Sequence, residues 1–455
     1  MQSHRSHLYW VLLFILLMSA LPFVMAWREA KIDRHVKSEA LPEAPGVIWE
    51  HTYGGPYWDW CHDMIEVSSG GYAITGFTDA PWASQGGVMW LVRTAANGDM
   101  VWNSTYTGNL PLNETHIVER TSARALIECN SGGFALAGYA TVVNPDTEAR
   151  RGEMWLVRTD ADGNHLWNRT FGEGGLDDLV ECSDGGFTLF GSTERSGGAG
   201  RDDLYLAHTD ADGDLLWEYM YGGSECDFSR QMVQCNDGGY AMLATSYSYG
   251  LDFQILLVRT DSEGSLLWVQ TYGGPDYDSG DCFLELDDGF LIVGHAVNEG
   301  LRIVRTDADG DMIWKRRFLD YAAWRRSAAT GFGESIVQCN NGGFAIAGYG
   351  VNPLGQGGGW LLRIDDNGNI LWGQHHPRTD RDEIYAIVQS SEGGFVMAGQ
   401  TEVDWEAGDF DFWLLRVADQ AQVSGYSVIA GAVGVSFALL VGVFVLRRRE
   451  KWPDL

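Results

Sequence analysis

Trp155-Leu156-Val157-Arg158-Thr159-Asp160-Ala161-Asp162-Gly163-Asn164, closing on Trp167, is the stretch that decides the fold. Variants of it recur, and the closing tryptophan stands at Trp49, Trp102, Trp167, Trp217, Trp268, Trp314 and Trp372. Successive gaps are 53, 65, 50, 51, 46 and 58 residues. The step from glycine to tryptophan is stricter, four residues from Gly98/Trp102 through Gly368/Trp372. Length variation therefore falls in loops outside the phrase. A unit this short cannot bury its own apolar face, so the copies must pack on one another.

A second landmark accompanies each phrase: Gly70-Gly71, Gly132-Gly133, Gly185-Gly186, Gly238-Gly239, Asp288-Gly289, Gly342-Gly343 and Gly393-Gly394, each followed by an aromatic residue and a short apolar run. Gly, Asn and Asp accept the backbone conformations that tight hairpins need. The sixth unit then reads as four strands, Met312–Phe318, Ser335–Cys339, Phe344–Tyr349 and Gly359–Ile364. No stretch between these signals keeps a helical period. Seven four-stranded units with glycine and aromatic punctuation predict an all-β, seven-bladed β-propeller over residues 47–420. The ends of the array do not match: Val47–Tyr53 is a tryptophan strand without a predecessor, and Phe412–Val417 a fourth strand without a successor. Their pairing is predicted to close the ring and remove a free sheet edge.

The flanks predict export and anchoring. Residues 1–26 resemble a secretory signal, with Arg5 before the apolar run Leu8–Val24 and a cleavage context at Ala26; an uncleaved signal anchor is the alternative. Residues 27–46 read as a linker. Tyr426–Leu446 is apolar and uncharged for 21 residues, enough to cross a bilayer, within a predicted transmembrane region 421–446. Arg447, Arg448, Arg449 and Lys451 in the tail 447–455 place that end in the cytoplasm and the propeller outside.

The chain carries 31 Lys+Arg against 62 Asp+Glu. Setting aside Arg5, Arg447, Arg448, Arg449, Lys451, Glu450 and Asp454 leaves 26 basic and 60 acidic residues in 27–424, a net of −34. Such a field repels nucleic acid and attracts cations or basic partners. Of seven cysteines, Cys129, Cys182, Cys235 and Cys339 share one repeat position and read as small buried apolar residues. Cys61, Cys226 and Cys282 lie off that register, and Cys226–Cys282 is the only disulfide the sequence nominates. No Cys/His spacing suggests zinc. Asn103, Asn113 and Asn168 head N-glycosylation sequons. The Asp-rich turns, such as Asp210-Ala211-Asp212-Gly213-Asp214, do not fit an EF-hand, whose glycine is sixth and whose glutamate is twelfth. They read as hairpin turns, and the spacing gives calcium no support.

The phrase resembles the tryptophan-docking repeat of quinoprotein-like (PQQ-like) propellers, with a turn about one residue shorter, over nearly all of 47–420. It is closer still to the Gly-Gly-aromatic propeller repeats of exported, membrane-anchored prokaryotic proteins. The resemblance implies tryptophan packing between blades rather than catalysis. Quinone-cofactor enzymes of that family carry adjacent cysteines; none are adjacent here, which argues against a PQQ cofactor.

Candidate ligand residues lie in the variable loops ahead of the second strand of each unit: Tyr57, Trp58, Asp59, Trp60 and Asp63, then Asp178, Asp227, Asp278 and Asp281. Aromatic faces among acids suit a sugar or a cation, and paired carboxylates suit glycoside hydrolysis if they stand ~5–10 Å apart. Three readings follow: a surface module binding a protein or glycan, an exported hydrolase or lyase acting on polysaccharide, and a structural envelope component.

Overall fold

The structure is a computed structural model that describes residues 34–35, 46–79, 87–107, 117–194, 201–250, 252–274, 277–296, 300–318, 330–351, 357–376, 378–379, 381–404 and 409–419. The predicted signal, most of the linker, the transmembrane region, the basic tail and Asn113 lie outside these residues. Among the described residues no helix is long and apolar enough to cross a membrane.

Seven antiparallel sheets of four strands surround an axis. Blade one is Asp59–Glu66, Tyr72–Thr78, Val88–Thr94 and Met100–Tyr106, counted from the axis outward. Blades two to six span 117–173, 175–221, 227–272, 278–318 and 330–376 in the same order. Blade seven takes three strands from 383–417 and its outer strand from Val47–Tyr53. The register runs from Val47 opposite Val417 to Tyr53 opposite Phe412, so first and last segments are joined by backbone hydrogen bonds as the sequence predicts. Trp49 is thus a member of blade seven, although its ring leans across the seam to Tyr72 of blade one at 6.2 Å. Arg34–His35 lies parallel to Arg316–Arg317 on the outer strand of blade five.

The repeated phrase is scaffold, residue by residue. Asp160 Oδ1 accepts the N–H of Asp162 at 3.0 Å and of Asn164 at 2.8 Å, which closes the turn. Asp210, Asp261, Asp307 and Asp365 do the same in later blades. The arginine fixes the other hairpin: Arg158 donates to the carbonyls of Phe134, Thr159 and Gly132. In blade three the equivalent residue is His208, which reaches Asp184 through Nε2 at 3.0 Å.

Side chains alternate across each strand, so every blade feeds two apolar seams. Seven buried clusters result, one per pair of neighbouring blades. Two devices of the phrase recur at the seams. Trp102 lies on Gly163 of the next blade, and the Tyr106 hydroxyl donates to the Gly163 carbonyl at 2.9 Å. The four repeated cysteines are 3–5 % exposed and belong to four different seams, as small apolar residues. The nominated Cys226–Cys282 disulfide is absent. All seven thiols are free. Cys282 lies inside the inner strand of blade five, 3 % exposed, with Sγ 3.1 Å from the Gly333 carbonyl of blade six. Cys61 is likewise buried in an inner strand.

Candidate functional site

In an antiparallel blade, alternate connections fall on opposite faces. The Gly-Gly and Asp-Gly turns share one face. The loops leading into each blade and those joining its second and third strands share the other, and that face carries the length variation.

Each inner strand breaks its ladder at an equivalent point, and that of blade two has a second break between Val118 and Arg120. The register shifts fall between Cys61 and Asp63, Ala123 and Ala125, Leu176 and Asp178, Ser229 and Gln231, Gly280 and Cys282, Phe332 and Ser335, and Ile384 and Ala386. A bulge leaves its extra residue unpaired and re-aims it. Here the extra residues are His62, Arg124, Asp177, Arg230, Asp281, Glu334 and Tyr385, one from each blade, and all seven line a single cavity of about 510 Å³ on the axis. Five residue types fill the seven places, Arg and Asp twice each, while the backbone device repeats.

A bulge also orphans an N–H just beyond it, and the neighbouring blade supplies the acceptor. Asp63 Oδ2 takes the Leu126 N–H at 2.8 Å, Asp178 Oδ2 the Met232 N–H at 2.8 Å, and Gln231 Oε1 the Phe283 N–H at 2.8 Å. Where the preceding blade has alanine there, Ala386 before blade one and Ala125 before blade three, the strand uses its own aspartate: Asp63 Oδ1 caps Met64 and Asp178 Oδ1 caps Leu179, both at 2.7 Å. Burial pushes both carboxyls up to about 7 against these bonds. Both oxygens of each are occupied, so these acids clamp neighbouring blades together.

The ring residues are differently placed. Glu334, Arg124 and Arg230 make no hydrogen bond among the described residues. Glu334 is pushed up to about 8, by burial first and then by Asp281. Burial opposes the Arg230 charge, but Asp281, Glu334 and Asp177 outweigh it and raise its pKa. Burial, with Arg124 and Arg120 beside it, holds the His62 imidazole well below its ordinary value, so it is neutral. Asp281 is 9 % exposed and accepts from His295 Nδ1 at 2.9 Å. The wall between blades one and two is aromatic and cationic: the Arg120 guanidinium lies 4.1 Å over Phe77, and Trp60 stacks on the same ring at 6.2 Å.

The loop candidates from the sequence divide. Trp60, Asp63, Asp178 and Asp281 line the cavity. Asp59, Asp227 and Asp278 are at most 1 % exposed and do not line it. Each accepts the N–H four residues earlier, at Gly55, Gly223 and Gly274, and so closes the loop leading into its blade. Tyr57 and Trp58 are exposed on the loop face. Trp58 meets Phe410 edge-on at 6.4 Å, and Phe410 stacks on Trp60 at 6.4 Å, an aromatic path toward the axis. His62, Arg124, Arg230, Glu334 and Tyr385 were missed. A sequence signal existed: each bulge residue stands eight residues before the first glycine of its turn, from 62 to 70 through 385 to 393. In blade five the count runs from Asp281 to Gly289.

Two of the sequon asparagines have a packing role. Asn103 Oδ1 accepts the Trp90 indole N–H at 3.1 Å, and Asn168 Oδ1 that of Trp155 at 3.2 Å. No described group of His, Cys, Asp and Glu forms a metal-holding cluster.

No protein-family model matches the chain, and no curated protein does. Among solved structures it is similar to YCF48 bound to D1 peptide, with 10 % identity, 84 % of this chain and 100 % of that one covered, and a TM-score of 0.47. The Dos1 propeller aligns with 9 % identity over 82 % of this chain and 95 % of that one, at a TM-score of 0.47. Puromycin hydrolase aligns with 14 % identity over 78 % of this chain, which spans 56 % of that protein, at a TM-score of 0.46.

Proposed function

We propose that this chain is a recognition module, held outside the cell by its C-terminal apolar segment, that binds a protein or glycan through the axial cavity and the loop face around it. One observation carries the reading: seven structurally equivalent bulges present seven polar side chains of five types to one cavity, so no single residue is kept around the ring. A scaffold that needed only packing would repeat the residue along with the bulge. The Arg124 and Arg230 guanidinium groups and the Glu334 carboxyl, none of them hydrogen-bonded among the described residues, supply the directional contacts that fix a ligand. The aromatic path from Trp58 to Phe77 gives flat surfaces for a sugar or an apolar side chain. Tryptophan packing at the seams agrees with a relationship to quinoprotein-like propellers.

One observation favours a hydrolase as the second reading. Glu334, with its pKa pushed up to about 8, neighbours Asp281, a pairing in which one acid could donate a proton while the other stays charged.

The test is a screen of the full-length chain in detergent micelles against glycan and peptide arrays, beside an assay for hydrolysis of pooled polysaccharides. Binding without turnover supports recognition. Turnover abolished by Glu334→Gln supports the hydrolase. Silence in both leaves the structural envelope role.

A further inference from the structure

The outer strands carry a repeated feature of their own, at the end of each strand that meets the Asp-Gly turn. The second residue of every outer strand, from Ile48 in blade seven to Leu371 in blade six, is Ile, Val or Leu and is 40–61 % exposed. In four blades the first residue, Val47, Met100, Leu215 or Leu266, is exposed and apolar too. Beyond the tryptophan the strands turn polar, as in Asn103-Ser104-Thr105 and Lys315-Arg316-Arg317. The apolar residues therefore form a narrow band around the rim of the turn face. A sheet edge that met only water would carry charge there rather than aliphatic side chains. Both ends of the ring leave on this face. Gly46 and Ala418 stand where the other blades have their Asp-Gly turn, and the Ala418 N–H donates to the Gly46 carbonyl at 3.2 Å. Residues 420–425 alone separate Asp419 from the apolar segment Tyr426–Leu446, a tether of at most about 25 Å.

Resting on the reading of Tyr426–Leu446 as a membrane anchor, we infer that the turn face docks on the bilayer, with its aliphatic rim seated among the lipid headgroups. The blades are roughly 23 Å deep along seven-residue strands, so a tether of that length would be spent in reaching the loop face. Copies arranged around a ring meet a plane together only when the ring axis stands upright on it. The axial cavity then opens away from the membrane. The same face limits the lipid. Turn acids such as Asp162, Asp212 and Asp309 are exposed beside the rim, and they repel an anionic surface. The surface that fits has low net charge; on an anionic one, docking strengthens with salt, which screens the acids.

The test is spin labelling of the full-length chain, carrying Cys226→Ser, in phosphatidylcholine bilayers. Nitroxides at Val101→Cys, Leu216→Cys and Leu267→Cys should collide more with dissolved oxygen than with an aqueous nickel chelate. One at Tyr247→Cys, on the loop face, should do the reverse. Val101→Asp with Leu216→Asp should expose the Leu267 label to the chelate. In phosphatidylglycerol bilayers the oxygen preference of the rim should be lost at about 0.05 M salt and return at about 1 M. A label at Val435→Cys reports the anchor separately. Rim labels in water with Val435 in lipid would overturn the docking and leave the anchor standing. Rim and Val435 labels all in water would overturn both. Rim labels in lipid with Val435 in water would uphold the docking and sink the anchor. The Tyr247 label in lipid, or a rim that docks best on phosphatidylglycerol at low salt, would also overturn the inference. Three rim positions, all exposed, keep the test standing if one variant misfolds.

Discussion

Trp102 of blade one lies flat against Gly163 of blade two, so closely that a Cβ built on Gly163 would stand 2.6 Å from Trp102 Cζ3. The same contact recurs between Trp167 and Gly213, Trp268 and Gly310, and Trp314 and Gly368. This explains the invariant four-residue step better than turn chemistry alone. The glycine supplies a positive φ of 78° and also the floor on which the previous blade's indole rests.

Gly163→Ala should therefore cost about 3 kcal/mol or more, the sum of left-handed strain and a steric clash in a packed seam. Gly132→Ala is the control. Its φ is 86°, yet nothing lies within 4 Å of the added methyl, so it should cost only about 1–2 kcal/mol. Denaturant midpoints of the two variants measure the difference. Equal losses would reduce the tryptophan contact to a bystander.

Deleting Val47–Tyr53 removes the outer strand of blade seven and exposes the backbone edge of Asp409–Val417. The melting temperature should fall by roughly 10 °C or more, with aggregation on heating, because an open sheet edge templates pairing. Scanning calorimetry with light scattering reads both. An unchanged melt would mean that the ring is held by its seams and not by its closure.

Much of this architecture was legible in the chain because hairpin glycines and docking tryptophans are requirements of shape, and shape repeats. The ring closure followed from the two unpaired ends. The site was harder to read. Asp59, Asp227 and Asp278 looked like ligand acids because carboxylates in variable loops usually face water, yet each caps a loop N–H below the surface. His62, Arg124, Arg230, Glu334 and Tyr385 escaped because no residue type links them. Only their constant distance from the turn does, and that distance gains meaning once the bulge is seen.

Arg158 shows how much a repeated charge can be structural. It is 6 % exposed and satisfies the carbonyls of Phe134, Thr159 and Gly132. Arg158→Ala should cost about 3 kcal/mol, since it orphans buried acceptors. Arg158→Lys should restore less than half of that, because an ammonium cannot reach three carbonyls set for a planar fork. Urea unfolding of the three proteins checks both values, and full rescue by lysine would assign the loss to charge rather than geometry.

The buried acid of the ring sets a pH dependence. Glu334 has its folded pKa raised to about 8, against 4.5 for an ordinary glutamate, and is faced by Asp281, Arg230, Glu383 and Arg124. The folded form binds the proton more tightly than the unfolded chain, so this group's penalty is full above about pH 8 and fades as pH falls toward 4.5. Glu334→Gln should then stabilise the protein by roughly a few kcal/mol at pH 8.5 and by little near pH 5. Melting temperatures across that range, compared with wild type, supply the check; a gain independent of pH would exclude the titration of Glu334 as its source.

The central claim is that recognition resides in the axial ring and not in the repeated phrase or the outer loops. The most direct measurement is the affinity of the full-length chain for the tightest ligand found on the arrays, in the wild type, in the pair Arg124→Gln with Glu334→Gln, and in the pair Tyr57→Ala with Trp58→Ala. The cavity pair should lose about 100-fold or more, two charged contacts together, while the loop pair loses at most a few-fold. Undiminished affinity in the cavity pair, with the loss confined to the loop pair, would contradict the account.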